Sequence, residues 1–327
     1  MEFKVGIIGA GRIASSHIRS LLKIENVKIK AICDVIKERA EEKGKNIGAT
    51  IYTDYKEMLD KEELDAVWIC TPADVHSENV LYCIEKNIPF FLEKPVGIDE
   101  KECENVAEKL KEKNLIHSVG FMLRYDPAVE KLKEIFEKEK LIFAAAEWFW
   151  TIPLVDTIKS KEKAGGQIVD QAIHLIDLMR YLISDIKSVY TRRVRGFFPE
   201  EKLYTGDDAS GTVFEFENGL AGVLICTYAL FPEISRYYPP KIRFICKKKL
   251  IEYVNRGILK IFEREKCIEE IWKEDLMYKE DKTFIESILK NDPSPIKSNY
   301  FDALKTLKVC LAANKSMEKP STSIYDL

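Results

Sequence analysis

The sequence predicts an α/β protein of two domains. A parallel sheet covered on both faces comes first, and an α/β domain with a large open, mostly antiparallel or mixed sheet follows. Three observations carry this. Over roughly the first 120 residues, apolar runs of strand length alternate with helical periodicity, a βαβ rhythm that demands a parallel sheet. A glycine turn, Gly9-Ala10-Gly11-Arg12-Ile13-Ala14, joins the first run to the first helix. From about residue 141 the pattern changes to shorter alternating runs, and Asn218-Gly219 is a strong hairpin signal. The boundaries are drawn at 1–123 and 124–327.

Taken in order, Phe3 to Ile8 and Lys28 to Ile32 read as strands, with helices from about 13 to 24 and about 37 to 45. Asp65 to Cys70 is the next strand and runs into Thr71-Pro72, where proline can lack its N–H without cost. A helix carrying Val80, Leu81 and Ile84 leads to a strand at Pro89 to Leu92. Asp99 and Glu102 have the residue types of a capping box, and Cys103, Val106, Ala107 and Leu110 mark the buried face behind it. Ile116 to Phe121 closes the first domain. Asp126-Pro127 then reads as an N-cap and N1 pair, with Val129, Leu132 and Phe136 inward.

In the second domain Leu141 to Trp150 is a long strand and one helix spans about 166 to 182. Strand runs follow near 186–195, 208–217, 219–229, 241–246, 249–255, 258–263 and 267–272, then a helix at about 300–315. One face of such a sheet carries aromatics and needs cover, so a homodimer or homotetramer through it is expected.

The glycine turn has a chemical reading. Gly9 makes the tight turn, Gly11 keeps side chains away from a pyrophosphate, and Ala14 lets helix and strand pack closely. The helix start offers free N–H groups and a positive dipole end to phosphates. Asp34 follows 20 residues after Ala14, where a carboxylate can hold the adenosine ribose hydroxyls. The first domain is therefore expected to be a dinucleotide-binding Rossmann domain. Asp34 favours NAD by repelling a 2′-phosphate, while Lys37, Arg39 or Arg12 leave NADP open.

Composition excludes other classes. The formal net charge of -3 gives no basic field for nucleic acid and no polybasic membrane patch. No apolar run approaches a membrane span, and the chain enters a strand at once, so no signal peptide is expected. Eight cysteines without a CxxC pair point to reduced thiols in a cytoplasmic chain, and with four histidines they form no spaced ligand cluster, so no metal is expected.

Two constellations could do chemistry. Lys94 sits just past a parallel strand, where open α/β sheets place ligands, and Pro95 restricts it to extended geometry. Asp170, His174 and Asp177 share one stripe of an otherwise apolar helix, behind Gly165-Gly166. Such a stripe needs partners or a ligand to face, and an imidazole suits proton transfer near neutrality. His17 lies either near the cofactor or at the surface, His76 either bounds the nicotinamide side or starts a helix, and His117 reads as structural. Arg124 and Tyr125 stand at the domain junction.

Together these residues resemble the glucose–fructose oxidoreductase, inositol dehydrogenase and MocA (Gfo/Idh/MocA) family, over essentially the whole chain. The resemblance rests on Gly9 to Ala14, Thr71-Pro72 with His76, Glu93-Lys94-Pro95-Val96, Gly165-Gly166 with Asp170, His174 and Asp177, Thr205 to Ala209, and Phe216 to Gly219. It implies catalytic roles for Lys94, Asp170 and His174, and a Lys94-Pro95 peptide that is often cis. It implies a cofactor surface of Gly9, Gly11, Arg12, Ile13, Ala14, Asp34, Thr71, Pro72, His76, Glu93, Lys94 and Arg124. The implied reaction passes a hydride between the nicotinamide and a secondary alcohol or ketone of a sugar, cyclitol or sugar derivative. Lys94 would position substrate and nicotinamide, His174 would accept the hydroxyl proton, and Asp170 would fix the substrate. Trp148, Trp150, Arg124 and Tyr237 are candidates for setting substrate identity. The alternatives are an NAD-dependent glycosidase acting by transient oxidation and a non-catalytic dinucleotide-binding regulator.

Overall fold

The computed structural model describes residues 2–319. The chain divides into two compact units: one holds the chain up to Asp126 together with Lys273–Leu307, the other Pro127–Trp272 and the chain from Lys308 on.

The first unit runs β1 (Phe3–Ile8), α1 (Arg12–Leu21), β2 (Val27–Cys33), α2 (Lys37–Gly44), β3 (Thr50–Tyr52), α3 (Tyr55–Lys61), β4 (Ala66–Ile69), α4 (His76–Lys86), β5 (Phe90–Leu92), α5 (Glu100–Lys111) and β6 (His117–Val119). All six strands pair in parallel in the order β3-β2-β1-β4-β5-β6. The direction of winding therefore changes between β1 and β4, the position at which such sheets bind ligands. Strand residues such as Val5, Ile7, Ala66 and Trp68 are fully buried because helices cover both faces. The Asp99 carboxylate accepts from the Glu102 N–H at 3.0 Å and caps α5 as its residue types predict. The short β3 and α3 were not legible, since two polar turns leave them little apolar run.

The second unit begins with α6 (Pro127–Phe136), β7 (Leu141–Phe149), α7 (Asp156–Lys159) and α8 (Lys161–Ala164). A π-helical turn at Ile168–Ala172 leads into α9 (Ile173–Leu182). Then come β8 (Ile186–Val194), β9 (Ala209–Phe216), β10 (Ala221–Thr227), α10 (Pro232–Ser235), β11 (Lys241–Cys246), β12 (Leu250–Val254), β13 (Ile258–Phe262) and β14 (Cys267–Ile271). The eight strands order as β14-β13-β12-β11-β7-β10-β9-β8. The sheet is mixed, because β7 and β10 run parallel while the other neighbours are antiparallel. Gly219, at φ +82°, turns the β9–β10 hairpin as its sequence predicts.

Along β9, Ser210, Thr212, Phe214 and Phe216 are buried while Gly211, Val213 and Glu215 are exposed. The buried face is covered by helices: Phe136 of α6 meets Phe244 edge-on at 5.0 Å. The other face runs Tyr190, Val213, Val223, Ala145, Arg243 and Glu252 across six neighbouring strands.

Two helices close the chain, α11 (Leu276–Lys290) and α12 (Tyr300–Ser316). Everything after residue 123 was expected in the second domain, yet α11 groups with the first unit. The reason is core packing: Phe284 lies 5.3 Å from the Trp68 ring and 5.9 Å from Phe91. The sequence hid α11 because Glu280, Asp281 and Ser287 interrupt its inward stripe, and all three are buried.

Candidate active site

In the first unit, Gly9 has φ +91°, and a Cβ there would sit 2.7 Å from the Cys70 carbonyl group. Only glycine allows the β1 and β4 ends to approach so closely. Gly11 is the N-cap of α1, with no side-chain cap and no acidic residue in the first turn. A Cβ on Gly11 would meet nothing within 4 Å. The first amides of α1 therefore face open space, the arrangement that suits a phosphate. Ala14 is fully buried, Arg12 is exposed, and Ile13 packs at the edge of the core.

Asp34 bridges this loop to the end of β2. Its carboxylate accepts from the Ala10 N–H at 2.7 Å and the Ile36 N–H at 2.8 Å. Exposed Val35 and Ile36 present an apolar surface beside it. An uncapped helix start, an open position at Gly11 and a fixed carboxylate at the β2 end fit a dinucleotide.

The remaining first-unit candidates gather past β4 and β5. Thr71 donates its hydroxyl to Asn79 at 2.8 Å, and exposed Pro72 starts a short 3-10 turn. His76 is buried, with Nδ1 2.7 Å from the Pro95 carbonyl and Nε2 2.9 Å from the Thr71 carbonyl. Burial lowers its pKa while the two carbonyls raise it, and a neutral ring, with a single N–H, donates to only one of them at a time. Lys94 is half-buried, its N–H donates to the Glu93 carboxylate at 3.1 Å, and the Lys94-Pro95 peptide is cis.

Glu93 belongs to a buried cluster. His17 places Nε2 3.0 Å from Glu93 Oε1 and Nδ1 2.8 Å from Asp281 Oδ1. The Trp68 indole N–H also donates to Asp281 Oδ1, at 2.9 Å. Burial alone would pull the imidazole down, but the Asp281 charge and hydrogen bond, with lesser help from Cys70 and Glu93, hold its pKa well above the ordinary value. Buried Glu280 adjoins them, its carboxyl without a hydrogen-bond partner among the described residues. Burial, then the charges of Asp281 and Glu93, push its pKa well up. Ligand-type atoms of His17, Glu93 and Glu280 lie within 4.8 Å of one another. Both imidazole nitrogens already face carboxylate oxygens, the pattern of a protonated ring, and that proton does the work a bound cation would do.

Arg124 is buried, bonded to the Lys297 carbonyl at 2.6 Å and to the Asp302 carboxylate at 2.5 Å. These bonds fix residues 297–302 to the chain at the end of β6.

The second unit carries the other chemistry. The sequence reads one helix over 166–182, but the segment holding Asp170 is a π-helical turn, a local widening often found at functional sites. Asp170 is half-buried and accepts from the Tyr228 hydroxyl at 3.1 Å. Burial, then the charge and hydrogen bond of Asp170, raise the Tyr228 pKa well above its usual value, so its proton stays in place to be donated. His174 starts α9, its ring stacked against Trp148 with centroids 6.0 Å apart and planes 22° from parallel. Gly165 and Gly166 both have positive φ, and Gln167 donates to the Trp148 and Thr227 carbonyls, tying the turn to the ends of β7 and β10. Asp177 is buried farther along α9.

Within the first unit, then, Gly9, Gly11, Ala14 and Asp34 come together at the ends of β1 and β2, and His76, Glu93 and Lys94 past β5. In the second unit Asp170 lies on the π-helical turn and His174 on α9, which continues it. Sequence reasoning missed Tyr228 and the α11 acids. Tyr228 gave no signal beyond following a strand, and Glu280 and Asp281 gave none because they stand among the lysines and other polar residues of α11.

Comparison with known proteins gives a consistent result. Residues 3–121 match the Gfo/Idh/MocA oxidoreductase family with its NAD-binding Rossmann fold, and residues 140–252 match the family's C-terminal domain. The chain is 26% identical to myo-inositol 2-dehydrogenase of Thermotoga maritima, over 97% of this chain and 96% of that protein. It is 30% identical to the NAD-dependent scyllo-inositol 2-dehydrogenase of Bacillus subtilis, over 68% of this chain and 66% of that protein. A levoglucosan dehydrogenase in complex with NADH shares the fold, with a TM-score of 0.86 at 20% identity and 97% of each chain covered. The chain belongs to the Gfo/Idh/MocA family of oxidoreductases, and its first unit is an NAD-binding Rossmann domain.

Proposed function

We propose that this family member passes a hydride between NAD and a secondary alcohol or ketone of a sugar, cyclitol or sugar derivative. The observation that carries this is Asp170 on a π-helical turn that runs straight into α9 with His174, in a chain whose other unit holds Lys94 past β5 of an NAD-binding sheet. When bound, NAD supplies the hydride acceptor. Gly9, Gly11 and the first amides of α1 hold its pyrophosphate, and Asp34 holds the adenosine ribose. The negative charge of Asp34 makes NAD the preferred form over NADP.

The chain's own groups orient and handle the proton. Lys94 donates to the substrate oxygen and stabilises negative charge as it develops there. His174 takes the hydroxyl proton in oxidation and returns it in reduction, and stacking on Trp148 limits the tilt of its ring. Asp170, held by Tyr228, fixes the substrate through neighbouring hydroxyls. Glu93, His76 and Arg124 support this surface through the backbone bonds described above. Named relatives act on inositols, which supports a cyclitol or pyranose-like substrate.

The eight free cysteines fit a reducing cytoplasm. No described helix is long and apolar enough to cross a membrane. The uncovered sheet face, with Tyr190, Val213, Ile225 and Ile245 each at least two-fifths exposed, fits a second copy of the chain in a homodimer or homotetramer.

The test is absorbance at 340 nm with purified protein, NAD or NADP, and a panel of cyclitols, pyranoses, sugar acids and nucleotide sugars, with carbonyl substrates and reduced cofactor as the reverse arm. NADH formation or consumption with a panel member is expected. Sugar release without net cofactor change would replace the reading with the glycosidase alternative, and tight NADH binding without turnover in either direction would replace it with a regulator.

A further inference from the structure

We infer that His17 and Asp281 are positioning residues for Lys94, acting through the carboxylate of Glu93. This rests on the reading of Lys94 as a substrate-facing group.

The links are continuous. The Trp68 indole donates to Asp281 Oδ1, which faces His17 Nδ1, while His17 Nε2 faces Glu93 Oε1. Glu93 Oε2 then accepts the Lys94 N–H. On the far side of Glu93, a Cβ added to Gly120 would sit 3.1 Å from Oε1, so the chain at Gly120 backs the carboxylate. One peptide farther on, His76 holds the Pro95 carbonyl at 2.7 Å. The Lys94 backbone is thus held on both sides, and the direction of its side chain follows from that backbone.

Energetics argue against a purely structural cluster. Burying four ionisable side chains costs desolvation that an apolar core would avoid, and such clusters add little net stability. What this one adds is geometric definition one peptide from Lys94. Because His17 lies on the same helix whose first amides face the phosphates, the clamp also ties Lys94 to the cofactor helix. The groups facing His17 are Asp281 and Glu280 from α11, Glu93 after β5 and Cys70 after β4. Both ring nitrogens of His17 lie against carboxylate oxygens, so the charged imidazole donates to Asp281 and to Glu93. Asp281→Asn keeps the shape but withdraws one of those charges.

Hydrogen exchange of the full chain reads the proposal without any substrate. In Asp281→Asn and His17→Gln the Lys94 amide should exchange at least roughly tenfold faster than in the parent, while β1 and β2 amides keep their rates. With the alcohol found by absorbance screening, kcat should fall roughly 10- to 100-fold and KM for NAD should stay within about twofold. Unchanged exchange at Lys94, or parallel losses in kcat and NAD affinity, overturns the inference; if Asp281→Asn does not fold, His17→Gln decides. Lys94→Ala is measured alongside. If it keeps full activity, the reading of Lys94 itself has failed; if it is inactive while both cluster variants behave as the parent, only the positioning role has failed.

Discussion

Asp34 and Glu93 of the first unit and Asp170 of the second are held in different ways. In the first unit, Asp34 and Glu93 accept backbone N–H groups, from Ala10 and Ile36 and from Lys94, and Asp281 is locked by Trp68 and His17. In the second, Asp170 stands half-buried on a π-helical turn and accepts from the Tyr228 side chain. A carboxylate bonded to backbone defines the path of a loop. On the proposed reading the first unit supplies a rigid frame for NAD and the second holds the group being oxidised.

Three substitutions test that contrast, in decreasing order of expected effect. Asp34→Ala should weaken NAD by roughly 10- to 100-fold, the value of hydrogen bonds to a charged group, and weaken NADP much less. Any loosening of the Ala10 loop acts on both cofactors alike, so the ratio isolates the charge; fluorescence titration with NADH and NADPH reads it, and equal losses would break the assignment. Tyr228→Phe should lower kcat/KM by about 3- to 10-fold through the Asp170 hydrogen bond and leave NADH affinity unchanged. A variant as active as the parent would show that Asp170 needs no holding.

Glu280→Gln sharpens the first-unit side of the comparison through pH. Glu280 binds its proton more tightly folded than unfolded, so the parent loses stability as pH rises from about 4.5 toward the raised folded value. Glutamine cannot ionise and removes that slope. The variant should gain on the parent progressively from pH 4.5 to pH 8, with little difference at pH 4.5, read as thermal midpoints. The same slope in both proteins would mean that Glu280 is not the buried proton carrier.

The parallel sheet was legible because its strands are buried on both faces and end in diagnostic turns: Phe3–Ile8 is β1 to the residue, and Gly9 is a turn only glycine allows. The mixed sheet was legible as alternation, although pairing β7 with β10 in parallel is a topological fact that no local pattern encodes. Two things were hidden. Helix α11 looked unlike a buried helix because its inward face carries Glu280 and Asp281, and the Asp281 partners His17 and Trp68 lie far away in sequence. The π-helical turn was hidden because one extra residue in a turn changes no residue type. Lys94, Asp170 and His174 stand out as candidates by residue type and spacing, while the bond from Lys94 to Glu93 and the one from Tyr228 to Asp170 needed coordinates.

The most direct test of the central claim compares the parent with Lys94→Ala, His174→Ala and the double variant, following NADH at 340 nm with the substrate found by screening and NADH binding by fluorescence. The account predicts turnover reduced at least roughly 100-fold in each variant, with NADH affinity within a few-fold of the parent. A double variant that turns over like the parent would contradict it.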